Sequence, residues 1–157
     1  MVLLKIAVLS AGIAILAAFS LAVADGGAPP PTAVSAVRDA HVKVRSSSLG
    51  RHLVDAGGRS LYLFEKDRGG RSSCYGSCAS LWPPLLTGPH VVRGAGVSKA
   101  KLGTVARRDG GREVTYAGHP LYYYAGDSRP GQIKGEGLNS FGASWDIVSP
   151  SGKGIDR

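Results

Sequence analysis

Hydrophobic and polar positions fall into three regimes along the chain. Residues 6–21 are apolar apart from Ser10, Gly12 and Ser20. Residues 25–40 carry Gly26-Gly27, Pro29-Pro30-Pro31 and small side chains, with too little apolar surface for a core. Beyond them, short apolar or alternating stretches are separated by Gly- and Pro-containing turns, the pattern of strands and not of long helices. His52-Leu53-Val54 leads into Ala56-Gly57-Gly58-Arg59, and residues 60–65 return; residues 112–116 lead into Ala117-Gly118-His119-Pro120, and residues 121–125 return. Glycine supplies the positive φ that tight hairpins need, and β-branched or aromatic residues flank both turns. Val42-Lys43-Val44 and Trp145-Asp146-Ile147-Val148 add strands. Residues 74–81 have room for one helical turn, which Pro83-Pro84 then forbids from continuing. The expected fold is mainly β: a small single domain of two duplicated antiparallel hairpin units with short loops and at most one short helical turn.

The duplication shows in the letters. A shift of 60 residues superposes Gly50 on Gly110, Val54 on Val114 and Gly58 on Gly118. It also superposes Leu61-Tyr62 on Leu121-Tyr122, Phe64 on Tyr124 and Asp67 on Asp127, and a further three-residue insertion brings Trp82 opposite Trp145. A period this long, present twice, points to a doubled unit and not to an open array. The expected boundaries are a folded part over 41–150, with copies at about 41–88 and 101–150, and a polar tail over 151–157.

The shared element is Tyr-x-aromatic-x-x-Asp, carried by Tyr62, Phe64, Asp67 and by Tyr122, Tyr124, Asp127. Alternation along a strand puts the two aromatics of each copy on one face. Leu61 and Leu63, or Leu121 and Tyr123, take the other, so the strand should be buried between layers. Each aspartate falls just past its strand, where it can accept hydrogen bonds from backbone two or three residues on. Paired core aromatics and a turn-capping Asp are thus the structural reading; an aromatic face for sugar rings, or two aspartates sharing an ion, are the functional ones. A hard cation wants six or more oxygens, and no further carboxylates cluster near either Asp.

Between the copies runs Ser72-Ser73-Cys74-Tyr75-Gly76-Ser77-Cys78-Ala79-Ser80-Leu81-Trp82-Pro83-Pro84-Leu85. With the doubled motif, this stretch resembles a bacterial secreted repeat family whose members include predicted lipoproteins, over about residues 49–150. The resemblance implies a secreted or envelope location and carries no established function and no catalytic residues. The chain departs from lipoprotein relatives in lacking a lipid-anchoring cysteine, so membrane tethering does not carry over.

Composition sharpens the location. Residues 1–5 carry one positive charge, nineteen uncharged residues follow, and Ala22-Val23-Ala24 precedes Asp25. Charge, apolar run and A-x-A site in that order read as a secretion signal over residues 1–24, cleaved after Ala24. The alternative, an uncleaved anchor, has nearly the required length, but Gly12, Ser20 and the adjacent Asp25 favour cleavage. Residues 25–40 then form a flexible tether, and the mature chain, secreted or periplasmic, contains no other apolar run long enough to span a bilayer.

The net charge is +8, or +7 without Lys5. Arg93, Lys99, Lys101, Arg107, Arg108 and Arg112 face only Asp109 in the segment joining the copies, which holds most of that excess. A solvated loop is one reading; a contact for an anionic envelope polymer or envelope protein is the other, and outside the cytoplasm nucleic acid is not the expected partner.

Cys74 and Cys78 are the chain's two cysteines, and outside the cytoplasm such a pair is more often oxidised than free. Closing five residues is worth roughly 2 kcal/mol in chain entropy. Metal ligation and redox activity are the alternatives, although three intervening residues are one too many for a thioredoxin-like site. His41, His52, His90 and His119 are scattered without ligand spacing, and the single Met is the initiator, so no metal site and no cofactor are expected. Gly-x-Ser-x-Gly, His-Glu-x-x-His and P-loop signatures are absent. No catalytic residues are assigned. The expected function is a non-catalytic binding or structural module of the envelope; the alternatives are a redox or metal-handling protein using Cys74 and Cys78, and a hydrolase acting through Asp67 and Asp127.

Overall fold

A computed structural model describes residues 37–155. The leader and nearly all of the tether expected from the sequence lie outside these residues. Among the described residues nine strands appear in chain order: β1 (Ala40–Ser47), β2 (Gly50–Asp55), β3 (Tyr62–Phe64), β4 (Val91–Arg93), β5 (Leu102–Ala106), β6 (Arg112–Tyr116), β7 (His119–Pro120), β8 (Leu138–Ser140) and β9 (Ala143–Ile147). One short helix, α1 (Ser77–Leu81), and a 3-10 turn over Lys99–Lys101 complete the list. The strands form three small sheets, ordered β2-β1-β4, β3-β9-β8 and β5-β6-β7, antiparallel throughout except for the parallel pairing of β1 with β4. The fold is mainly β, as the turn-rich pattern implies.

The two copies follow the same hydrogen-bonding plan. In the first, Leu61 N–H donates to Leu53 O at 3.0 Å and Leu53 N–H to Val148 O at 2.8 Å; in the second, Leu121 N–H donates to Val114 O at 2.9 Å and Val114 N–H to Leu85 O at 2.9 Å. These bonds make Leu53, not Val54, the counterpart of Val114, so the letter match of Val54 with Val114 is out of register by one. Turn length is the reason. Three residues, Ala56-Gly57-Gly58, separate the paired Asp55 and Arg59, where only Ala117-Gly118 separates Tyr116 from His119. Ala117 and Gly118 both take positive φ, at 51° and 84°, as a two-residue hairpin turn with the strands' twist demands.

The returning strands leave their own hairpins after a rung or two and cross over. β3 pairs with β9 of the second copy, Tyr62 opposite Ile147 and Phe64 opposite Trp145. Reciprocally, Tyr123 N–H donates to Pro83 O at 2.8 Å and Ala125 N–H to Leu81 O at 2.9 Å. The pseudo-twofold relation centres on Tyr62 and Tyr122, which exchange backbone N–H···O bonds of 2.9 Å in both directions. The halves are therefore interleaved, and neither hairpin completes its core alone.

Crossing strands with both faces apolar generate two clusters. Leu53, Leu61, Leu63, Leu85, Val114, Tyr116 and Leu121 fill one; Tyr62, Phe64, Trp82, Tyr122, Trp145 and Ile147 fill the other, next to the cysteines. Chain order also continues past Pro150. Ser149 N–H donates to Lys153 O at 2.8 Å, Ile155 N–H to Ile147 O at 3.0 Å, and Ile155 packs against the aromatic cluster. The segment read as a polar tail is thus folded back on β9 as far as Ile155, because it supplies the backbone partners that β9's end would otherwise lack.

Candidate functional site

The repeated tyrosine and aspartate meet across the copies, not within them. Tyr62 Oη donates to Asp127 Oδ2 at 2.5 Å, and Tyr122 Oη donates to Asp67 Oδ2 at 2.6 Å. Each aspartate's other oxygen closes its own loop: Asp67 Oδ1 accepts from Ser73 N–H and Oγ–H, both at 2.7 Å, and Asp127 Oδ1 accepts from Lys134 N–H at 2.9 Å. The expected cap two or three residues on is not what forms. Each loop contains a tighter turn of its own, Arg71 N–H to Arg68 O at 3.1 Å in the first, and the aspartate spans the wider loop around it. Burial is the first cause that raises both tyrosine hydroxyls far above their ordinary pKa; bonding to Asp127 adds to it for Tyr62, and the charges of Glu113 and Asp67 for Tyr122. Both hydroxyls stay protonated as donors.

The aromatics form a crossed stack. Phe64 lies on Trp145 with ring centroids 4.0 Å apart, Trp145 on Trp82 at 4.0 Å, and Trp82 on Tyr124 at 4.5 Å, so each copy's motif aromatic covers the other copy's tryptophan. Tyr62 and Tyr122 meet Trp82 and Trp145 edge-on at 5.4 and 5.1 Å. Tyr62 and Tyr122 are fully buried, Phe64 is 1% exposed and Tyr124 is half-buried. No open face is left on the first three for a sugar ring. Gly135 passes so close that an added Cβ would stand 2.8 Å from the Trp82 ring.

Cys74 and Cys78 are joined as a disulfide at the foot of α1, 0% and 6% exposed. Where the first copy has this loop, the second has β8 and the turn into β9, so the staple belongs to one half only. Its anchor is Arg107, whose guanidinium donates from Nη2 to Cys74 O at 2.9 Å, from Nη1 to Ser72 Oγ at 3.0 Å and Glu113 Oε2 at 2.7 Å, and from Nε and Nη2 to Asp109. Ser72 Oγ also lies 2.8 Å from Tyr122 Oη, whose single proton goes to Asp67, so the serine hydroxyl donates to the tyrosine oxygen and ties this network to the repeated motif. Burial pushes the Glu113 carboxyl up to about 8, with Arg107 pulling the other way.

This geometry corrects the charge reading at Arg107. Its side chain is 1% exposed and ion-paired, so it is not a surface contact for a polyanion. Two signals were missed: Glu113 lies one residue beyond the segment whose charges were counted, and Arg71 and Tyr75 belong to the cysteine loop of the other copy. Among the remaining basic residues, Arg93, Lys99, Arg108 and Arg112 are exposed, while Lys101 is half-buried with its Nζ donating to Ser151 O at 2.5 Å. Arg93 and Lys99 border an open groove of about 560 Å³ between β4 and β5, with His90 and Thr104. Arg108 borders a second of about 470 Å³, at the other end of β5. Among the described residues no group of three or more His, Cys, Asp or Glu side chains is placed to hold a metal ion, and no helix is long and apolar enough to cross a membrane.

A family described as a secreted repeat of unknown function matches the chain twice, over residues 43–86 and 103–149. The two matched stretches begin at Lys43 and Gly103, which occupy equivalent places on β1 and β5, and together they cover more than half of the chain. No curated protein and no solved structure matches it. The chain belongs to the secreted-repeat family.

Proposed function

For this member of the secreted-repeat family we propose a non-catalytic binding module of the bacterial envelope. It is exported by the leader over residues 1–24 and released after Ala24. Its partner is an anionic component of the envelope, polymer or protein.

One observation carries this reading. The chemistry-bearing residues of both motifs are consumed internally: each aspartate has one oxygen on a tyrosine of the other copy and the other on its own loop. Neither carboxylate is left for general acid or base work. What the domain presents instead is cationic, with Arg93, Lys99, Arg108 and Arg112 exposed along the segment that joins the copies. Clustered like charge on a rigid scaffold raises the local concentration of a polyanion and speeds its encounter.

Retention of the purified mature protein on envelope fractions, compared at low and high salt, tests the reading. Salt-sensitive retention on an anionic fraction, weakened by Arg93→Ala/Lys99→Ala or by Arg108→Ala/Arg112→Ala, is expected. Retention by no fraction at any ionic strength overturns it.

A further inference from the structure

We propose that the cavity between the disulfide loop and the end of β5 is a binding site for a phosphate group. The inference rests on the binding-module reading and names the site and the ligand chemistry within it. Arg71, Ser72 and Tyr75 come from the first copy, and Ala106, Arg107 and Arg108 from the second. At about 470 Å³ the cavity is in the range of small-molecule sites, larger than a bare phosphate needs. A phosphate carried on a larger group therefore fits it.

Its charge is not neutralised. Arg107 is spent on Asp109, Glu113, Ser72 and Cys74. Arg71 and Arg108 are exposed, and among the described residues neither is within ion-pair distance of a carboxylate. Two unpaired guanidiniums on one cavity suit a phosphate, whose oxygens accept the paired N–H bonds of a planar fork.

The site is also preorganised. Arg108 lies over the Tyr75 ring at 3.9 Å, and Arg107 lies against the same ring at 4.4 Å. Tyr75 sits inside the loop closed by Cys74 and Cys78, and Arg107 grips the Cys74 carbonyl. The disulfide thus acts as a positioning element, holding the ring that orients Arg108.

Duplication supplies the control. At the end of β1 and in the turn after it, the counterparts of Arg107 and Arg108 are Ser47 and Ser48, and no disulfide faces them from the second copy. The fold is built twice with the same crossed bonds, yet the arginines, the ring and the disulfide come together at one of the two equivalent places. The repeated plan does not require them.

The test follows the arginine Nε–H resonances of the mature chain during titration with inorganic phosphate, a glycerol-phosphate polymer, and vesicles with and without anionic phospholipid. Saturable shifts at Arg71 and Arg108 are expected. Arg71→Ala/Arg108→Ala should weaken binding at least about tenfold, and Arg129→Ala/Lys134→Ala, at exposed basic residues away from the cavity, should leave it unchanged. Polymer against vesicle identifies the source of the phosphate. Both arginines are exposed, and an unchanged melting temperature confirms that the variants fold. Binding that ignores Arg71 and Arg108, or that is lost equally in Arg129→Ala/Lys134→Ala, overturns the site while leaving the binding-module reading intact. Phosphate saturating the cavity with no retention on any envelope fraction keeps the site and sinks the broader reading. No saturable shift with any of the probes also overturns the site.

Discussion

Tyr62 of the first copy donates its hydroxyl proton to Asp127 of the second at 2.5 Å, while Tyr122 returns the same bond to Asp67 at 2.6 Å. The motif that looks like two local units is one reciprocal clasp. Its energetic partners are therefore residues 65 and 55 positions apart in the chain.

The clasp predicts a specific pattern of coupling. Tyr62→Phe removes a buried hydrogen bond to a charged group and should cost about 1.5–3 kcal/mol. A double-mutant cycle of Tyr62→Phe with Asp127→Asn should show strong coupling, and the same cycle with Asp67→Asn should fall within about 0.5 kcal/mol of additive. Denaturant unfolding of the six proteins measures both. Equal coupling to both aspartates would contradict the crossed pairing.

The tryptophan stack makes an optical prediction. Trp82 and Trp145 lie parallel within 4°, close enough for exciton coupling. Trp82→Phe and Trp145→Phe should each abolish the same circular-dichroism couplet, although the residues belong to different copies. Trp145→Ala, leaving a hole between Phe64 and Trp82, should cost about 3–5 kcal/mol.

Gly135 tests how tightly the stack is fitted. Gly135→Ala would place a Cβ 2.8 Å from Trp82 and 3.0 Å from Tyr124, between rings that already touch. Overpacking of this kind costs about 1–3 kcal/mol. Gly137, with nothing near an added Cβ but a φ of 71°, should show backbone strain alone. Thermal melts of the pair separate the two effects.

The disulfide should behave as a staple. Cys74→Ser/Cys78→Ser is expected to lower stability by about 2 kcal/mol. Intact mass in a glutathione buffer of cytosolic ratio should show the pair still oxidised, because Cys74 is fully buried and Cys78 nearly so. Rapid reduction under those conditions would favour a redox role.

Glu113 should leave a mark on the pH dependence of stability. Its folded-state pKa is raised to about 8 from 4.5, chiefly by burial, so between these values the folded chain binds more protons than the unfolded one. Stability from this group is present below about pH 4.5 and is lost as pH rises through 8, with a slope of at most about 1.4 kcal/mol per pH unit. The stability difference between the wild type and Glu113→Gln should fall across that window. His52, lowered chiefly by burial, contributes the opposite slope on the acid side, which the difference cancels.

Much of the fold was legible because strand patterning and turn chemistry are local. Gly118 marks its hairpin, the prolines after Trp82 stop α1, and residues 61–64, apolar on both faces, announce a strand buried between two layers. The disulfide was legible from spacing and the export context. Two errors have the same origin. Val54 matched Val114 by letter, but one extra turn residue moved the register. Arg107 counted as surface charge because Glu113 and Cys74, its partners, approach it only after β5 and β6 pair and the other copy's loop folds over them.

By itself, then, the sequence determined that the chain is β-rich, doubled and centred on Tyr-x-aromatic-x-x-Asp, since those properties reside in neighbouring residues. Only the tertiary structure decided that each tyrosine serves the other copy's aspartate, that each aromatic covers the other copy's tryptophan, and that two arginines from different copies share one cavity. A strand with two apolar faces must be buried, but its own letters do not say against which partner. That choice falls to the arrangement in which the returning strands cross, because neither half alone can cover both faces of its central strand.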